Sequence, residues 1–223
     1  DVGDGDALSA WMAASAGTRP RRRGVVHAAG VMRQDPVDVL DEAGVAAAMR
    51  AKLQGGWWLD RLTRGLGLDF LVLFSSFSSL IDSPQLGAYA AANAALDGIA
   101  ARRRRAGERV TLVNWGFWEE AGMAARAGWA PAGVRSIAIR EGLSCLERLL
   151  AMPDGDPAAD PAHGVMAVDW QRWAAAYPAA ADTPLLSRLL PPKALVPVPA
   201  PMVEPGFDRS AADWRQRLDA LVR

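Results

Sequence analysis

Two short apolar runs constrain the fold of this chain more than any other feature of its sequence. They are LDFLVLFSS at residues 68–76 and RVTLVNWG at residues 109–116, and a helical pattern, QLGAYAAANAALDGIAARRRR, lies between them at residues 85–105. Strands that read as unbroken apolar runs are covered on both faces, as in parallel sheets whose strands are connected by helices. A similar run, RGVVHAAG, precedes them at residues 23–30. The sequence therefore predicts an α/β fold built on a parallel sheet.

The segments around these runs complete the predicted order of elements. We predict a helix at residues 5–15 that Asp4 caps, one or two helices at 37–66, a helical lid at 119–129, a helix at 140–152 and a last strand at 163–170. Residues 184–205 hold seven prolines, which is typical of an extended linker. We therefore divide the chain into a domain at 1–180, a linker at 181–207 and the start of a following helical unit at 208–223.

Composition and charge argue against several classes of protein. The 25 basic and 25 acidic residues cancel, so the positive field of a nucleic-acid-binding protein is missing. We interpret the arginine runs at 21–23 and 102–105 as solvated ends of elements. The single cysteine excludes an internal disulfide and a multi-cysteine metal site, and the two histidines are too far apart in sequence to indicate a zinc site. No apolar run approaches the roughly 20 residues of a membrane-spanning helix, and we expect a cytoplasmic protein that binds no metal, membrane or nucleic acid.

Four polar residues stand where this fold would bring them to one edge of the sheet. Tyr89 and Asn93 are four residues apart, which places both side chains on the same face of a helix. Ser76 ends the strand before that helix, and Lys52 lies in the helix before that strand. Reduction of a ketone by hydride needs a proton donor and a second hydrogen-bond donor at the carbonyl oxygen. A tyrosine whose pKa is lowered by a nearby ammonium, with a serine beside it, meets that need.

One motif expected of a nucleotide-binding sheet is missing. A doubly wound sheet of that kind begins with a Gly-rich turn that holds the pyrophosphate, yet no G-x-G-x-x-G occurs in this sequence. Either the fold is of another kind, or the chain as given starts partway through it. In the second case we expect the isolated chain neither to bind its cofactor tightly nor to fold well.

The spacing of the four polar residues resembles that of a known family. Lys52 lies 24 residues before Ser76, Ser76 lies 13 before Tyr89, and Asn93 follows four later. Together with VVHAAGV, FLVLFSS, YAAANAALDGIAARRR and VNWGFWEEAGM, this spacing resembles the short-chain dehydrogenase/reductase superfamily, and more closely the ketoreductase domain of modular type I polyketide synthases. Most of that superfamily has the lysine and the asparagine in the opposite places, and this sequence has the exchanged form of the polyketide ketoreductases. The resemblance covers residues 1–175 and implies a Rossmann-like, doubly wound parallel sheet whose first strands and Gly-rich loop are missing from this chain.

The resemblance also implies roles for individual residues. Tyr89 would protonate the substrate alkoxide, and Ser76 would orient the carbonyl. Lys52 would lower the pKa of Tyr89, and Asn93 would hold the lysine and a water that relays protons. The implied cofactor is NADPH, with Asp1 and Val2 at the adenine, Ala28, Ala29 and Gly30 at the ribose, and Lys52, Tyr89 and Gly116 as its further contacts. The implied substrate and lid residues are Leu86, Trp118 and Met123.

The implied activity is that of an NADPH-dependent β-ketoacyl reductase. It would reduce a carrier-protein-bound β-ketoacyl thioester to a β-hydroxyacyl thioester during polyketide chain extension. The implied partners are an acyl carrier protein with phosphopantetheine-bound substrate and other polyketide synthase domains, within a homodimeric megasynthase. DWRQRLDALVR, at the end of the chain, resembles the start of such a carrier protein. Two alternatives stay open, a catalytically inactive domain that serves as a scaffold and a free-standing short-chain dehydrogenase.

Neither fingerprint of alcohol configuration is present. Met32, Arg33 and Gln34 stand where one type of ketoreductase has Leu-Asp-Asp, and Ile81 stands where the other has tryptophan. The configuration of the product is therefore left open, with only a weak preference for the tryptophan type.

Aromatic and imidazole side chains allow simpler interpretations. We expect Trp57 and Trp58 to pack in the core or on an intersubunit helix face. Trp115 and Trp118 either pack or line the substrate cleft, and His27 is interpreted as a satisfied residue at the end of a strand.

Overall fold

The computed structural model describes residues 1–15, 20–81, 83–119, 131–152, 162–181 and 183–190. Nearly all of the segment expected to form a lid, Met123 included, lies outside the described residues, as does the helix expected at 208–223.

A four-stranded parallel sheet forms the centre of the fold. Its strands are β1 (Gly24–His27), β2 (Phe70–Ser76), β3 (Thr111–Trp115) and β5 (Ala162–Val165), in the spatial order β1, β2, β3, β5. In the register, His27 lies beside Leu73, and Ser76 lies beside Trp115. The prediction of an α/β fold with a parallel sheet is confirmed. All four carboxyl ends meet at one edge, which is where ligands bind in sheets of this kind.

Helices connect the strands and cover the sheet. They are α1 (Gly5–Ala14), α2 (Glu42–Met49), α3 (Gly55–Thr63), α4 (Gly87–Arg105), α5 (Ile139–Ala151), α6 (Trp170–Ala176) and α7 (Pro178–Ala181). A π-helical turn, Arg50–Gln54, joins α2 to α3, and short 3₁₀ turns form at Val37–Val39, Phe77–Ser79 and Pro184–Leu186. Asp4 caps α1 as predicted, because its side chain accepts a hydrogen bond from the Ala7 amide at 2.9 Å.

The two faces of the sheet have separate cores because successive side chains of a strand point to opposite sides. Leu71 and Leu73 of β2 pack with Leu96 and Ile99 of α4 on one face. Val72 packs on the other face with Val113, Trp115, Ile137 and the apolar side of α5. The continuous apolar reading of β2 therefore reflects burial on both sides.

The predicted strand at 163–170 is wrong in its extent. It divides into β5 and the two-residue strand β6 (Ala167–Val168), which pairs antiparallel with β4 (Val134–Arg135). Asp169 then caps α6 by accepting from the Arg172 amide at 3.0 Å. Because the Asp169 side chain caps α6, the helix begins at Trp170, and the strand has to end before that residue.

The start of the proline-rich segment is also corrected. Residues 184–190 belong to the folded domain, and Leu186 is 3% exposed in a cluster with Phe77, Ile81 and Trp173. Pro184 begins a 3₁₀ turn, where a residue without an amide hydrogen is tolerated. An extended linker cannot begin at 181 or 184, and residues from 191 onward lie outside the described part of the chain.

One arginine run does not lie in solvent as predicted. Arg103 is 1% exposed, and its guanidinium lies 3.2 Å from a carboxylate oxygen of Asp60, which is fully buried. Arg102 and Arg64 contact the other oxygen of Asp60 at 2.5 and 2.9 Å. Arg102 also lies 4.0 Å from the ring centre of Trp57, which is 39% exposed and therefore not a core residue. The Asp60 cluster ties α3 to α4.

Candidate functional site

Lys52 lies in the π-helical turn between α2 and α3, and it is buried. Its side chain is 3% exposed, and its ammonium donates a hydrogen bond to the carbonyl oxygen of Phe74 in β2 at 2.5 Å. Burial lowers the pKa of Lys52 to about 8, because removal from water disfavours the charged form. At neutral pH the side chain is still mostly an ammonium.

Ser76 ends β2 and starts a small network of hydroxyl groups. Its Oγ accepts from the amide and the hydroxyl of Ser78, at 3.2 and 3.0 Å. A serine hydroxyl has two lone pairs and one proton, so both acceptor positions are used and the proton remains available to a third group. Ser76 is 8% exposed at the carboxyl edge of the sheet.

Tyr89 and Asn93 lie on the buried face of α4, next to the end of β2. Tyr89 is 8% exposed and Asn93 is fully buried. Asn93 Nδ2 donates to the backbone carbonyl of Tyr89 at 2.8 Å, and its backbone carbonyl accepts from Ser75 Oγ at 3.4 Å. Its other polar atom, Oδ1, is buried with no hydrogen-bond partner among the described residues. A buried acceptor without a partner is costly, which is why such an atom marks a site for a group that donates to it.

Burial raises the pKa of Tyr89, while hydrogen bonds with the side chains of Asn93 and Ser76 oppose this rise. In this structure burial outweighs them, and the ammonium of Lys52 is engaged by the Phe74 carbonyl. The expected lowering of the Tyr89 pKa by Lys52 is therefore not seen in this structure. It stays a prediction for the site with substrate and cofactor bound. Tyr89, Asn93 and Ser76 are nevertheless all buried in the region where α4 packs against the end of β2.

His27 contacts the same turn as Lys52. It is 1% exposed at the end of β1, and its Nε2 lies 3.2 Å from the backbone carbonyl oxygen of Lys52. Burial lowers the pKa of His27 to about 4; the hydrogen bond with the Lys52 carbonyl opposes this shift, and the Lys52 charge, the smallest of the three effects, adds to it. The expectation of a satisfied residue at a strand end fits this contact, but sequence reasoning missed its partner. The available signal was the pair Gly55 and Gly56, which leaves room beside the turn.

A cavity of about 850 Å³ lies between α1 and β1. Four residues expected at the adenosine half of a cofactor line it, namely Asp1, Val2, Ala28 and Ala29. Gly30 follows directly but is not part of the lining, and none of the four polar residues discussed above borders this cavity. All of β1 lines this cavity, and β1 is the edge strand of the described sheet. Asp1 itself is exposed and forms an ion pair with Arg50 at 2.8 Å.

The residues expected near the substrate have mainly packing contacts in the described part of the chain. Leu86 is 2% exposed at the start of α4. The ring of Trp118 lies 4.7 Å from that of Trp115, and it covers Gly142 so closely that a Cβ there would lie 2.4 Å from the ring. At Gly116 a Cβ would lie 3.1 Å from that of Met166. These contacts favour the packing interpretation of Trp115 and Trp118.

Asn114 of β3 is a buried polar residue that sequence reasoning missed. Its Oδ1 accepts from Ser79 Oγ at 2.9 Å, and the same hydroxyl lies 2.7 Å from the Ser76 carbonyl. Asn114 is 1% exposed and lies beside Ser75 in the register. It therefore braces the turn after Ser76. The sequence signal was an asparagine inside the otherwise apolar run LVNW.

Among the described residues, no group of histidine, cysteine, aspartate and glutamate side chains is arranged to hold a metal ion. Within the same residues, no helix is both long enough and apolar enough to cross a bilayer.

Comparison with known proteins addresses the family directly. The family model described as KR domain matches residues 1–120. This chain belongs to the KR domain family. The pikromycin polyketide synthase component PikAIII of Streptomyces venezuelae is 37% identical over 225 residues, which cover 100% of this chain and 14% of that protein. The chain is thus similar to one part of a much longer polyketide synthase.

Solved ketoreductase structures share the fold. A ketoreductase from the first module of phoslactomycin biosynthesis in Streptomyces sp. HK803 has a TM-score of 0.74 and 35% identity, over 83% of this chain and 42% of that one. A structure of A-type ketoreductases from a modular polyketide synthase has a TM-score of 0.75 and 36% identity, over 84% of this chain and 39% of that one. The predicted ketoreductase domain of a modular type I polyketide synthase, in the short-chain dehydrogenase/reductase superfamily with its Rossmann-like fold, is confirmed. The chain spans less than half of these solved ketoreductases.

Proposed function

We propose that this chain carries the ketone-reducing residues of a polyketide synthase module. The reaction is NADPH-dependent reduction of a β-ketoacyl thioester, held by an acyl carrier protein, to the β-hydroxyacyl thioester. The observation that carries the proposal is the burial of Tyr89 and Asn93 on the face of α4 that lies against the end of β2, where Asn93 Oδ1 is an acceptor without a partner among the described residues. Lys52 is buried on the adjoining turn and reaches the same strand end.

Ser76 and Tyr89 act at the carbonyl oxygen in this proposal. The Ser76 hydroxyl keeps its proton for donation because Ser78 fills its acceptor positions. The Tyr89 hydroxyl is protonated at neutral pH, because its pKa is raised, and it delivers that proton to the oxygen as negative charge develops there. Two donors aimed at one oxygen stabilise the developing alkoxide.

Lys52 and Asn93 act on Tyr89 after the proton has left. An ammonium near the phenolate stabilises its charge, and the lowered pKa of Lys52 leaves that ammonium able to pass on a proton close to neutral pH. Asn93 Oδ1 is a buried acceptor for the ammonium or for a water that returns the proton. The side chain of Asn93 is fixed by its own bond to the Tyr89 carbonyl, so this acceptor is held in place.

The residues present fit the reactive half of a nicotinamide cofactor. A buried ammonium, a phenol and a serine hydroxyl lie at one strand end, and Asn93 Oδ1 is an unpartnered acceptor within the described residues. Lys52 and Tyr89 would hold the nicotinamide half, while Asp1, Val2, Ala28 and Ala29 would contact the adenosine half. When bound, the cofactor supplies hydride to the β-carbon. The choice of NADPH rests on the family resemblance, and no pattern in this sequence fits the pyrophosphate.

The partners follow from the same proposal. An acyl carrier protein presents the substrate on phosphopantetheine, and further synthase domains lie in the same cytoplasmic, homodimeric assembly. A scaffold without catalysis is the second candidate, and it is favoured by the raised pKa of Tyr89 and by the engagement of the Lys52 ammonium with the Phe74 carbonyl. A free-standing dehydrogenase is disfavoured by the similarity over 100% of the chain to a part of PikAIII.

The test measures NADPH consumption by the native polypeptide that contains this chain, with a β-ketoacyl N-acetylcysteamine thioester as substrate. Tyr89→Phe should lower kcat by roughly 100-fold or more, since it removes the acid catalyst while keeping the ring. The matched control is Tyr177→Phe, because Tyr177 is the second of two tyrosines and packs against Trp173 outside the polar site. NADH in place of NADPH tests the cofactor preference. Absence of cofactor binding and turnover in the unchanged protein would establish the scaffold instead.

A further inference from the structure

The turn that carries Lys52 is irregular. Arg50–Gln54 form a π-helical turn, which contains one residue more than an α-helical turn. The Gly55 amide is shared between the carbonyl of Arg50, five residues earlier, and that of Lys52, three residues earlier. Such turns are rare and occur often at functional sites. If this turn were regular α-helix, it would contain one residue fewer, and the residues before it would rotate by about 100° about the helix axis relative to those after it. The Lys52 side chain would then no longer point to the Phe74 carbonyl.

His27 supports this turn from β1. Its Nε2 lies 3.2 Å from the Lys52 carbonyl oxygen, and a carbonyl can only accept. The imidazole is therefore the donor and carries its proton on Nε2. The lowered pKa of about 4 means that the ring is neutral near pH 7, so its other nitrogen bears no proton and no charge repels the Lys52 ammonium.

Two glycines make this contact sterically accessible. A Cβ at Gly55 would lie 3.1 Å from His27 Cε1 and 2.7 Å from Val2 Cγ2. A Cβ at Gly56 would lie 2.7 Å from Leu96 Cδ2 and 3.6 Å from His27 Cδ2. Because these two positions lack side chains, the His27 imidazole can lie against the start of α3, and α4 can pack against the same part of that helix.

We propose that His27 is a positioning residue for Lys52: its Nε2 hydrogen holds the Lys52 carbonyl, maintains the π-helical turn, and so directs the Lys52 side chain to the end of β2. The inference rests on the proposed function for its catalytic consequence. The structural step, from His27 to the placement of Lys52, does not depend on turnover.

The experiment compares His27→Leu and His27→Gln in the native polypeptide that contains this chain. Leucine fills space without donating, whereas the amide of glutamine supplies an N–H donor at a similar distance from the backbone. The first readout is the pKa of Lys52, measured from its ¹⁵Nζ signal in protein labelled with ¹⁵N-lysine and assigned by the loss of that signal in Lys52→Met. The second is kcat as a function of pH for the β-ketoacyl thioester with NADPH.

In His27→Leu we expect the pKa of Lys52 to rise by at least one unit toward its ordinary value, because the side chain moves toward water. We expect kcat at pH 7 to fall at least tenfold, with the KM for the thioester changed less than threefold. His27→Gln should retain the unchanged protein's Lys52 pKa and at least one third of its kcat. This rescue separates donation of a hydrogen bond from simple filling of space.

The inference is overturned if Lys52 titrates in His27→Leu as it does in the unchanged protein, or if glutamine is no better than leucine. Should His27→Leu not fold, His27→Asn decides by the same two readouts, because its shorter side chain cannot reach the carbonyl. If the unchanged protein reduces no thioester, the proposed function fails, while the Lys52 titration still tests the role of His27. If Tyr89→Phe abolishes turnover and His27→Leu changes neither readout, only the positioning role fails.

Discussion

Replacement of Lys52 by methionine should stabilise the fold while it removes activity. The pKa of Lys52 falls from 10.5 to about 8 on folding, and at about 1.36 kcal/mol per unit this corresponds to roughly 3 kcal/mol of unfavourable free energy for the buried ammonium at pH 7. Loss of the hydrogen bond to the Phe74 carbonyl takes back about 1 kcal/mol. We therefore expect Lys52→Met to raise the free energy of unfolding by about 1 to 3 kcal/mol at pH 7.

The lowered pKa of Lys52 also determines how the stability of the protein changes with pH. Below pH 8 Lys52 is charged in the folded protein and in the unfolded chain, so the folded state bears the full free-energy cost of burying the charge. Between about pH 8 and 10.5 the unfolded chain binds more protons than the folded one, so the stability of the unchanged protein rises through this window. The advantage of Lys52→Met should accordingly shrink as the pH approaches 10.5.

Urea denaturation at pH 7 and at pH 10 measures this difference in the native polypeptide. The matched control is Lys193→Met, since Lys193 is the second of the two lysines in the sequence and lies outside the described residues. A variant Lys52→Met that is less stable than the unchanged protein at pH 7 would refute the reasoning. So would an advantage that is the same at both pH values, because the effect would then not come from a buried charge.

Two further predictions concern buried ionisable groups. Asp60→Asn should lower the free energy of unfolding by about 3 kcal/mol in urea denaturation, because the buried guanidinium of Arg103 loses the buried carboxylate of Asp60 and keeps only its pair with Glu108 among the described residues. Asp69→Asn, which breaks an exposed pair with Arg23, is the control, and equal effects of the two would contradict the argument. The lowered pKa of His27 means that the unfolded chain binds more protons between about pH 4 and 6.5, so stability should fall by roughly 3 kcal/mol as the pH drops through this range. His27→Gln should lack this loss in acid denaturation, and an identical acid slope in both proteins would count against a neutral buried imidazole.

The strands and the main helix were predictable because their signals are local. The apolar run at 68–76 became β2 at Phe70–Ser76, and the alanine-rich helix expected at 85–105 became Gly87–Arg105. Placement of Ser76, Tyr89 and Asn93 together followed from the strand and helix order, because successive elements of a parallel sheet share an edge. Lys52 was assigned by spacing, but nothing local indicated that its helix contains a π-helical turn.

The features that escaped sequence reasoning depend on distant partners. Arg103 sits in a run of arginines that looks solvated, and its partner Asp60 is 43 residues away. His27 satisfies a carbonyl 25 residues later, and a backbone acceptor leaves no mark in a sequence. The proline-rich stretch looked extended, yet Leu186 finds a site beside Trp173 that only the folded domain provides.

The pair Gly55 and Gly56 bears on any attempt to engineer this protein. Replacing glycine by alanine inside a helix is a standard route to thermal stability, and it is worth about 1 kcal/mol when the added methyl group meets open space. Here the methyl groups would meet Val2, His27 and Leu96 at 2.7 to 3.1 Å. A stabilisation scheme that scores helices by propensity alone would select these two positions early, and it would separate β1 and α4 from the turn that carries Lys52.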